Sequence, residues 1–216
     1  MRLSRRARIA LVSLSLAALA AIAVATLALR SNNDSGPAAE VTEVEGQNAP
    51  RSPFKGALRK PTPAPSFALR DQDGRLVRLA RLRGKVVVLA PMHTHCREAC
   101  PLVAQQIRAA IDDLPPAERA EVRALALSVD PPRDSAATAR RFIRTHHVQG
   151  YLDFLLGPPR TLRPLWRSYG FAPETEAREH NSLAVLIDRR GRERVSFSVG
   201  FLTPESLSHD LRILLG

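Results

Sequence analysis

The sequence is poor in cysteine and in aromatic residues, and both shortages narrow the possible functions. Its 216 residues include only two cysteines, which excludes a scaffold built on several disulfides and a zinc site with four cysteine ligands. One disulfide, one redox pair or part of a metal site is still compatible with two cysteines. There are two tyrosines and one tryptophan, so the aromatic platforms on which nucleic-acid bases stack are scarce.

The formal net charge of +11 does not by itself indicate nucleic-acid binding. The sequence has no run of five basic residues, and only three of its 32 basic residues are lysine. Such uniform use of arginine is typical of genomic composition rather than of phosphate recognition, so we expect no nucleic-acid partner. The hydrophobic share of 44% and the charged share of 25% are those of a globular protein.

Residues 9–29 form a long apolar run without charge, glycine or proline, and four arginines precede it. At the helical rise per residue, such a run spans roughly 30 Å, the thickness of the hydrocarbon core of a bilayer. The positive-inside rule then keeps residues 1–8 in the cytoplasm and exports the rest of the chain. We expect an uncleaved anchor rather than a signal peptide cleaved after Ala23-Val24-Ala25, because the run is longer than a usual signal core.

Residues 30–65 are interpreted as a linker, since they lack periodicity and are rich in proline. The remaining residues, 66–216, are predicted to form one α/β domain. An Asp-Gly turn at Asp73-Gly74 lies between two alternating apolar runs and predicts an N-terminal β-hairpin. The later apolar runs alternate between strand and helix patterns, which predicts a mostly parallel central sheet covered by helices in a thioredoxin-like plan.

The first buried strand of this plan, Lys85 to Leu89, is predicted to end at Pro91, and both cysteines follow it. In open α/β sheets, chemistry takes place beyond the carboxyl ends of the strands. If a helix begins near Cys96, the spacing of four residues places Cys96 and Cys100 on one helix face. The helix N-terminus lowers the pKa of thiols there, so the pair can form a reversible disulfide or bind a soft metal ion.

Three interpretations of the cysteine pair compete. A structural disulfide would close a very short loop and would stabilise the fold little. A thioredoxin-type redox pair, with Cys96 and Cys100 as the catalytic residues, normally has two intervening residues rather than three. A metal site is the third, because thiolates combined with an imidazole select Cu(I) or Zn(II). A peroxidase is a weaker option, because the spacing differs from the usual pattern of that class.

A metal site needs a third ligand, and the spacing alone leaves it open among six histidines. His146 and His147 follow a helix pattern, and His209 lies within the amphipathic terminal helix. His93 and His95 are close to the cysteines in sequence. Participation of Met92 and His93 in copper transfer is one alternative, but we favour their interpretation as loop-packing and surface residues. His180 is favoured, because a loop entering a late strand of this fold would lie near the cysteines.

The segment Thr94-His95-Cys96-x-x-x-Cys100-Pro101 resembles the signature of the Sco/SenC family of copper-binding assembly factors. Three further segments are similar to the family, and together they extend the resemblance over nearly all of residues 66–216. They are Leu127 to Asp134, Leu156 to Gly170 and Glu179 to Asp188.

The resemblance implies a thioredoxin-like fold with an N-terminal hairpin and a copper site formed by Cys96, Cys100 and His180. It also implies a function on the periplasmic side of the bacterial inner membrane. There the protein would deliver Cu(I) or Cu(II) to the copper-bearing subunit of cytochrome oxidase or to another copper protein, or would reduce the cysteines that receive it. The first of these is a metallochaperone without catalytic turnover, and the second is a thiol–disulfide oxidoreductase.

The sequence departs from the family pattern around the cysteines. Pro91-Met92-His93 stands where the family usually has Phe-Gly-Phe, and Arg97-Glu98-Ala99 replaces the usual Pro-Asp-Val. Glu179 precedes His180 where the family commonly has aspartate. The expected ligands are therefore present in altered surroundings, and the changes bear on the partner protein more than on metal binding.

Overall fold

The computed structural model describes residues 52–171, 183–198 and 201–216. The strands are β1 (Ala57–Leu58), β2 (Ala68–Arg70), β3 (Leu76–Arg78), β4 (Val86–Met92), β5 (Val122–Ser128), β6 (Leu152–Leu155), β7 (Leu183–Ile187) and β8 (Glu193–Ser198). The helices are α1 (Ala99–Asp112), α2 (Pro116–Arg119), α3 (Ala136–Thr145), α4 (Pro159–Tyr169) and α5 (Pro204–Leu215). The result is a mixed α/β fold.

The central sheet has the strand order β1-β8-β7-β4-β5-β6. Strands β4, β5 and β6 are parallel, whereas β7 is antiparallel to both β4 and β8, and β1 is antiparallel to β8. Within the described residues three of the five strand pairings are thus antiparallel, so the sheet is not mostly parallel as predicted. The antiparallel pair that the last hairpin was predicted to add, β7 with β8, is confirmed. The predicted N-terminal hairpin is confirmed, because β2 and β3 pair antiparallel as a separate two-stranded sheet.

Strand β4 is buried on both faces, as its β-branched run predicts. Alternate residues of β4 join two different hydrophobic clusters. Val86 and Val88 belong to the cluster that packs against α1, α3 and α5, whereas Val87 and Leu89 belong to the cluster that packs against α4 and the hairpin. The fold therefore has a helix layer on one face of the sheet, and a helix together with the hairpin on the other.

The sequence patterns locate the helices and strands to within a few residues. The patterns predict a strand over Leu183 to Ile187 and a terminal helix from about Pro204 to Leu215, and β7 and α5 have these limits. They also predict a helix from Leu162 to Tyr169, whereas α4 begins at Pro159. The prediction that the first buried strand ends at Pro91 is wrong, because β4 continues to Met92. The register between β4 and β7 covers Val87–Leu89, so in the described residues Pro91 lies beyond the antiparallel ladder, where its missing N–H is tolerated.

The described end of the predicted linker, residues 52–65, packs against the domain. Strand β1 pairs with β8, and the backbone N–H groups of Lys55 and Gly56 donate to the Asp210 carboxylate at 2.8 and 2.9 Å. Asp210 lies on α5 and is fully buried. A side chain at Gly56 would approach Val195 to 2.4 Å, so only glycine fits there. The C-terminal helix thus holds the start of the domain.

Within the described residues, no helix is both long enough and apolar enough to cross a bilayer. The predicted anchor, residues 9–29, lies outside the described residues.

Replacing Asp210 by alanine should lower the free energy of unfolding by at least about 1–3 kcal/mol, because two backbone N–H donors lose a fully buried carboxylate acceptor. The measurement is urea unfolding followed by the fluorescence of Trp166, the single tryptophan. Asp113→Ala is the matched control, because Asp113 pairs with Arg212 in an exposed ion pair that should contribute little to stability. Equal unfolding midpoints in the two variants would contradict the structural role of Asp210.

Candidate metal site

The two cysteines lie where β4 passes into α1, at the carboxyl end of the central strand. Cys96 is half-buried in the connecting loop, and Cys100 is buried in the first turn of the helix. No disulfide joins these two cysteines. The sequence predicted this position and the shared helix face, although α1 begins at Ala99 and only Cys100 is helical.

The sulfur of Cys96 occupies the place of a helix cap. The backbone N–H of Cys100 donates to Cys96 Sγ at 3.1 Å, while the side chain of the N-cap residue Glu98 makes no capping hydrogen bond. The first N–H groups of a helix have no partner inside the helix, and they favour a negatively charged acceptor. The spacing of four residues thus brings the first sulfur to the start of the helix that carries the second.

Hydrogen bonding strongly lowers the pKa of Cys96. The side chain of Cys100 makes the largest contribution; burial acts in the opposite direction, and hydrogen bonds from His93 and from backbone N–H groups lower the pKa further, to about 3. Cys96 is therefore a thiolate at neutral pH, and the thiolate is the form that attacks disulfides and binds metals.

The structure brings His93 to the two cysteines. The possible ligand atoms of His93, Cys96 and Cys100 all lie within 4.8 Å of one another, and these three residues are the one such cluster of metal-binding side chains in the described part of the chain. His93 is only 8% exposed. The interpretation of His93 as a surface residue is therefore wrong, and its position directly after a buried strand was the available signal.

The other histidines considered from the sequence lie elsewhere or outside the described residues. His95 is exposed, with its ring 3.2 Å from the Thr94 hydroxyl. His146 caps the end of α3, and His209 contacts Asp210 at 2.9 Å. His180 lies outside the described residues. Met92 is fully buried in the hydrophobic cluster that contains Cys100, as expected of a packing residue.

A buried carboxylate fixes the loop that carries His93 and Cys96. Asp134 accepts hydrogen bonds at 2.8 Å from both the backbone N–H and the hydroxyl of Thr94, and at 2.6 Å from the Ser128 hydroxyl. Asp134 is 9% exposed and lies in the turn between β5 and α3. The sequence Asp130 to Ser135 predicts a turn followed by a helix cap, and Ser135 does cap α3. The sequence did not reveal that Asp134 holds the neighbouring loop.

The low pKa of Cys96 predicts a flat pH profile for its alkylation by iodoacetamide. A thiol with an ordinary pKa of about 8.5 loses roughly tenfold in rate per pH unit below that value. Because the folded-state pKa is lowered, the Cys96 rate should stay nearly constant as the pH falls from about 8 to about 5. Mass spectrometry of the Cys96 peptide gives the rate, and the same protein unfolded in urea is the control. A tenfold loss per unit in the folded protein would contradict the thiolate.

Asp134→Ala should destabilise the fold by at least about 1–3 kcal/mol, because three donors lose a buried charged acceptor. Urea unfolding followed by far-ultraviolet circular dichroism measures the change. Asp130→Ala is the matched control in the same turn, since Asp130 makes a surface ion pair with Arg133 that is worth less than about 1 kcal/mol. If Asp134→Ala were no more destabilising than Asp130→Ala, the three hydrogen bonds would not hold the loop.

Comparison with known proteins agrees with this geometry. The family model described as SCO1/SenC matches residues 56–216. The chain is 32% identical over 103 residues to the mitochondrial protein SCO1 homolog 1 of Arabidopsis thaliana, and this match covers 48% of the chain and 30% of that longer relative.

Two solved structures share the fold. Apo Sco1 of Thermus thermophilus is 27% identical with a TM-score of 0.64, covering 75% of this chain and 97% of that one. ScoI of Bradyrhizobium japonicum, solved with copper bound, is 28% identical with a TM-score of 0.56, covering 71% and 100%. The chain described here belongs to the SCO1/SenC family.

Proposed function

We propose that this protein is a membrane-anchored copper metallochaperone that assists the assembly of the copper site of cytochrome c oxidase. The observation that carries the proposal is the convergence of two cysteine sulfurs and an imidazole within 4.8 Å at the start of α1. Soft thiolates with an imidazole are a donor set that selects Cu(I). The copper bound to the related ScoI of Bradyrhizobium japonicum supports the same metal here.

Cys96 and Cys100 are the proposed thiolate ligands, and His180 is the proposed histidine ligand implied by the family resemblance. Two sulfurs and one nitrogen satisfy Cu(I), which accepts three soft ligands, and the same set can hold Cu(II). Cys96 is half-buried whereas Cys100 is buried, so Cys96 is the ligand that an incoming thiol can reach. Copper is then a cargo passed to the oxidase subunit or to another copper protein by exchange of thiolate ligands.

A thiol–disulfide oxidoreductase acting on the copper-receiving cysteines is the second candidate. The lowered pKa of Cys96, beside a second thiol within 4.8 Å, favours it. A thiolate attacks a disulfide of the target, and the second thiol then releases the target in reduced form, leaving Cys96 and Cys100 oxidised. Metal content after isolation under reducing conditions separates the two functions, because an oxidoreductase needs no bound copper.

The site should bind one copper ion, and binding should depend on both cysteines. Cys96→Ser or Cys100→Ser should abolish tight Cu(I) binding, measured by competition with a chromophoric chelator, and His180→Ala should weaken it. Affinity should fall with falling pH, because protons compete for thiolate and imidazole. His146→Ala and His209→Ala are controls and should bind as the unmodified protein does. Undiminished binding in both serine variants would overturn the proposal.

The proposed location is the bacterial inner membrane, with residues 1–8 in the cytoplasm, residues 9–29 as a single-pass anchor and the copper-binding domain in the periplasm. The four arginines before the apolar run support this orientation. A reporter enzyme that is active only after export, fused behind residue 216, should be active. Activity of a reporter that works only in the cytoplasm would reject the orientation, and a mature N-terminus near Thr26 would reject the anchor.

A further inference from the structure

His93 distinguishes this chain from the family pattern, which usually has phenylalanine at that position. In the structure His93 follows the last residue of β4 directly, and its imidazole is buried beside both cysteine sulfurs. A phenylalanine there could only pack, whereas an imidazole offers a nitrogen ligand to a metal. An imidazole at this position thus places a donor atom next to the two cysteine sulfurs.

The distances fit a shared metal ion. Metal–sulfur bonds of about 2.3 Å and metal–nitrogen bonds of about 2.0–2.1 Å place neighbouring ligand atoms roughly 3.6–4.0 Å apart. The ligand atoms of His93, Cys96 and Cys100 all lie within 4.8 Å of one another, so they need to approach by roughly 1 Å or less to reach bonding positions. A change of that size is within the reach of side-chain rotation.

The neighbouring loop is held in place before any metal binds. Thr94, which directly follows His93, is fixed by its two hydrogen bonds to the buried Asp134 carboxylate. The sulfur of Cys96 is fixed by the N–H of Cys100. The residue after His93 is therefore tied to the β5–α3 turn, and the sulfur of Cys96 to the start of α1. Such support from surrounding hydrogen bonds orients metal ligands.

We infer that His93 is a ligand of the bound copper, so that His93, Cys96 and Cys100 together supply a complete three-coordinate donor set. The inference rests on the proposed copper-binding function and goes beyond it by adding a ligand that the family resemblance does not include. A site that already has one imidazole loses only part of its affinity when His180 is removed. If His180 also binds, the site has two sulfurs and two nitrogens, a set that also suits zinc.

The test uses the full chain in detergent micelles, with Cu(I) as the probe and His93→Phe as the main variant. Phenylalanine keeps the ring and removes the nitrogen donor. His95→Phe is the matched control, because His95 is an exposed histidine two residues away. His93→Gln is a second variant that keeps a polar side chain, and the fluorescence of Trp166 checks that each variant is folded.

Two readouts separate a ligand from a packing or hydrogen-bonding residue. Removing an outer-sphere partner of a ligand typically weakens binding by about 10- to 100-fold, so loss of affinity alone does not identify a ligand. X-ray absorption of the copper-loaded protein counts histidine ligands directly. We expect His93→Phe and His93→Gln to lose one histidine ligand and at least about tenfold in affinity, whereas His95→Phe should lose neither.

The outcomes separate failure of the inference from failure of the proposed function. An unchanged histidine count in both His93 variants, with copper binding still dependent on both cysteines, would overturn the inference and leave the proposed function standing. Undiminished binding in Cys96→Ser and Cys100→Ser would overturn both. His180→Ala should keep a histidine signal that the double variant His93→Phe with His180→Ala loses, and an equal histidine signal in these two variants would count against His93.

Discussion

The candidate site depends on one buried carboxylate. Asp134 lies outside the segment that carries the cysteines, yet it accepts three hydrogen bonds, two of them from Thr94 in that segment. Burying a charge is unfavourable unless hydrogen bonds replace its hydration, and here charge-assisted hydrogen bonds do so. The contact stabilises both partners. The loop donors compensate for the burial of the Asp134 carboxylate, and the carboxylate in turn holds the loop in its conformation. The position of Cys96 follows from that of Thr94.

The spacing of the cysteines has a structural reason as well as a chemical one. With three intervening residues, Cys96 lies before the helix and Cys100 in its first turn, so the N–H of the second residue points at the sulfur of the first. This hydrogen bond satisfies a helix N–H that would otherwise lack a partner, and it favours the thiolate over the thiol. The same contact thus begins α1 and prepares a metal ligand.

Much of the fold was predictable because its signals are local. The β-branched run of β4, the Asp-Gly turn of the hairpin and the proline at the start of α5 each act within a few residues. Strand β1 was missed because two residues, Ala57 and Leu58, have no periodicity of their own. They form a strand only because β8, more than a hundred residues later in the chain, offers an edge. The antiparallel position of β7 beside β4 is likewise a property of the folded sheet and not of either segment.

The candidate site, like the fold, was predictable only where its signals are local. The cysteines could be placed from the strand before them and the helix after them, because both patterns are local. The surroundings of His93 could not be predicted. Side chains alternate between the two faces of the sheet only within a strand, and His93 follows the last residue of β4. Val87 and Leu89 share the parity of His93 along β4 but face the α4 cluster, whereas Cys100 packs in the other cluster. The turn after Met92 brings the imidazole to the sulfurs despite that parity. In the sequence alone, a histidine at this position is interpreted as a packing residue just as a phenylalanine would be, and only the folded loop shows that the ring lies beside two cysteine sulfurs.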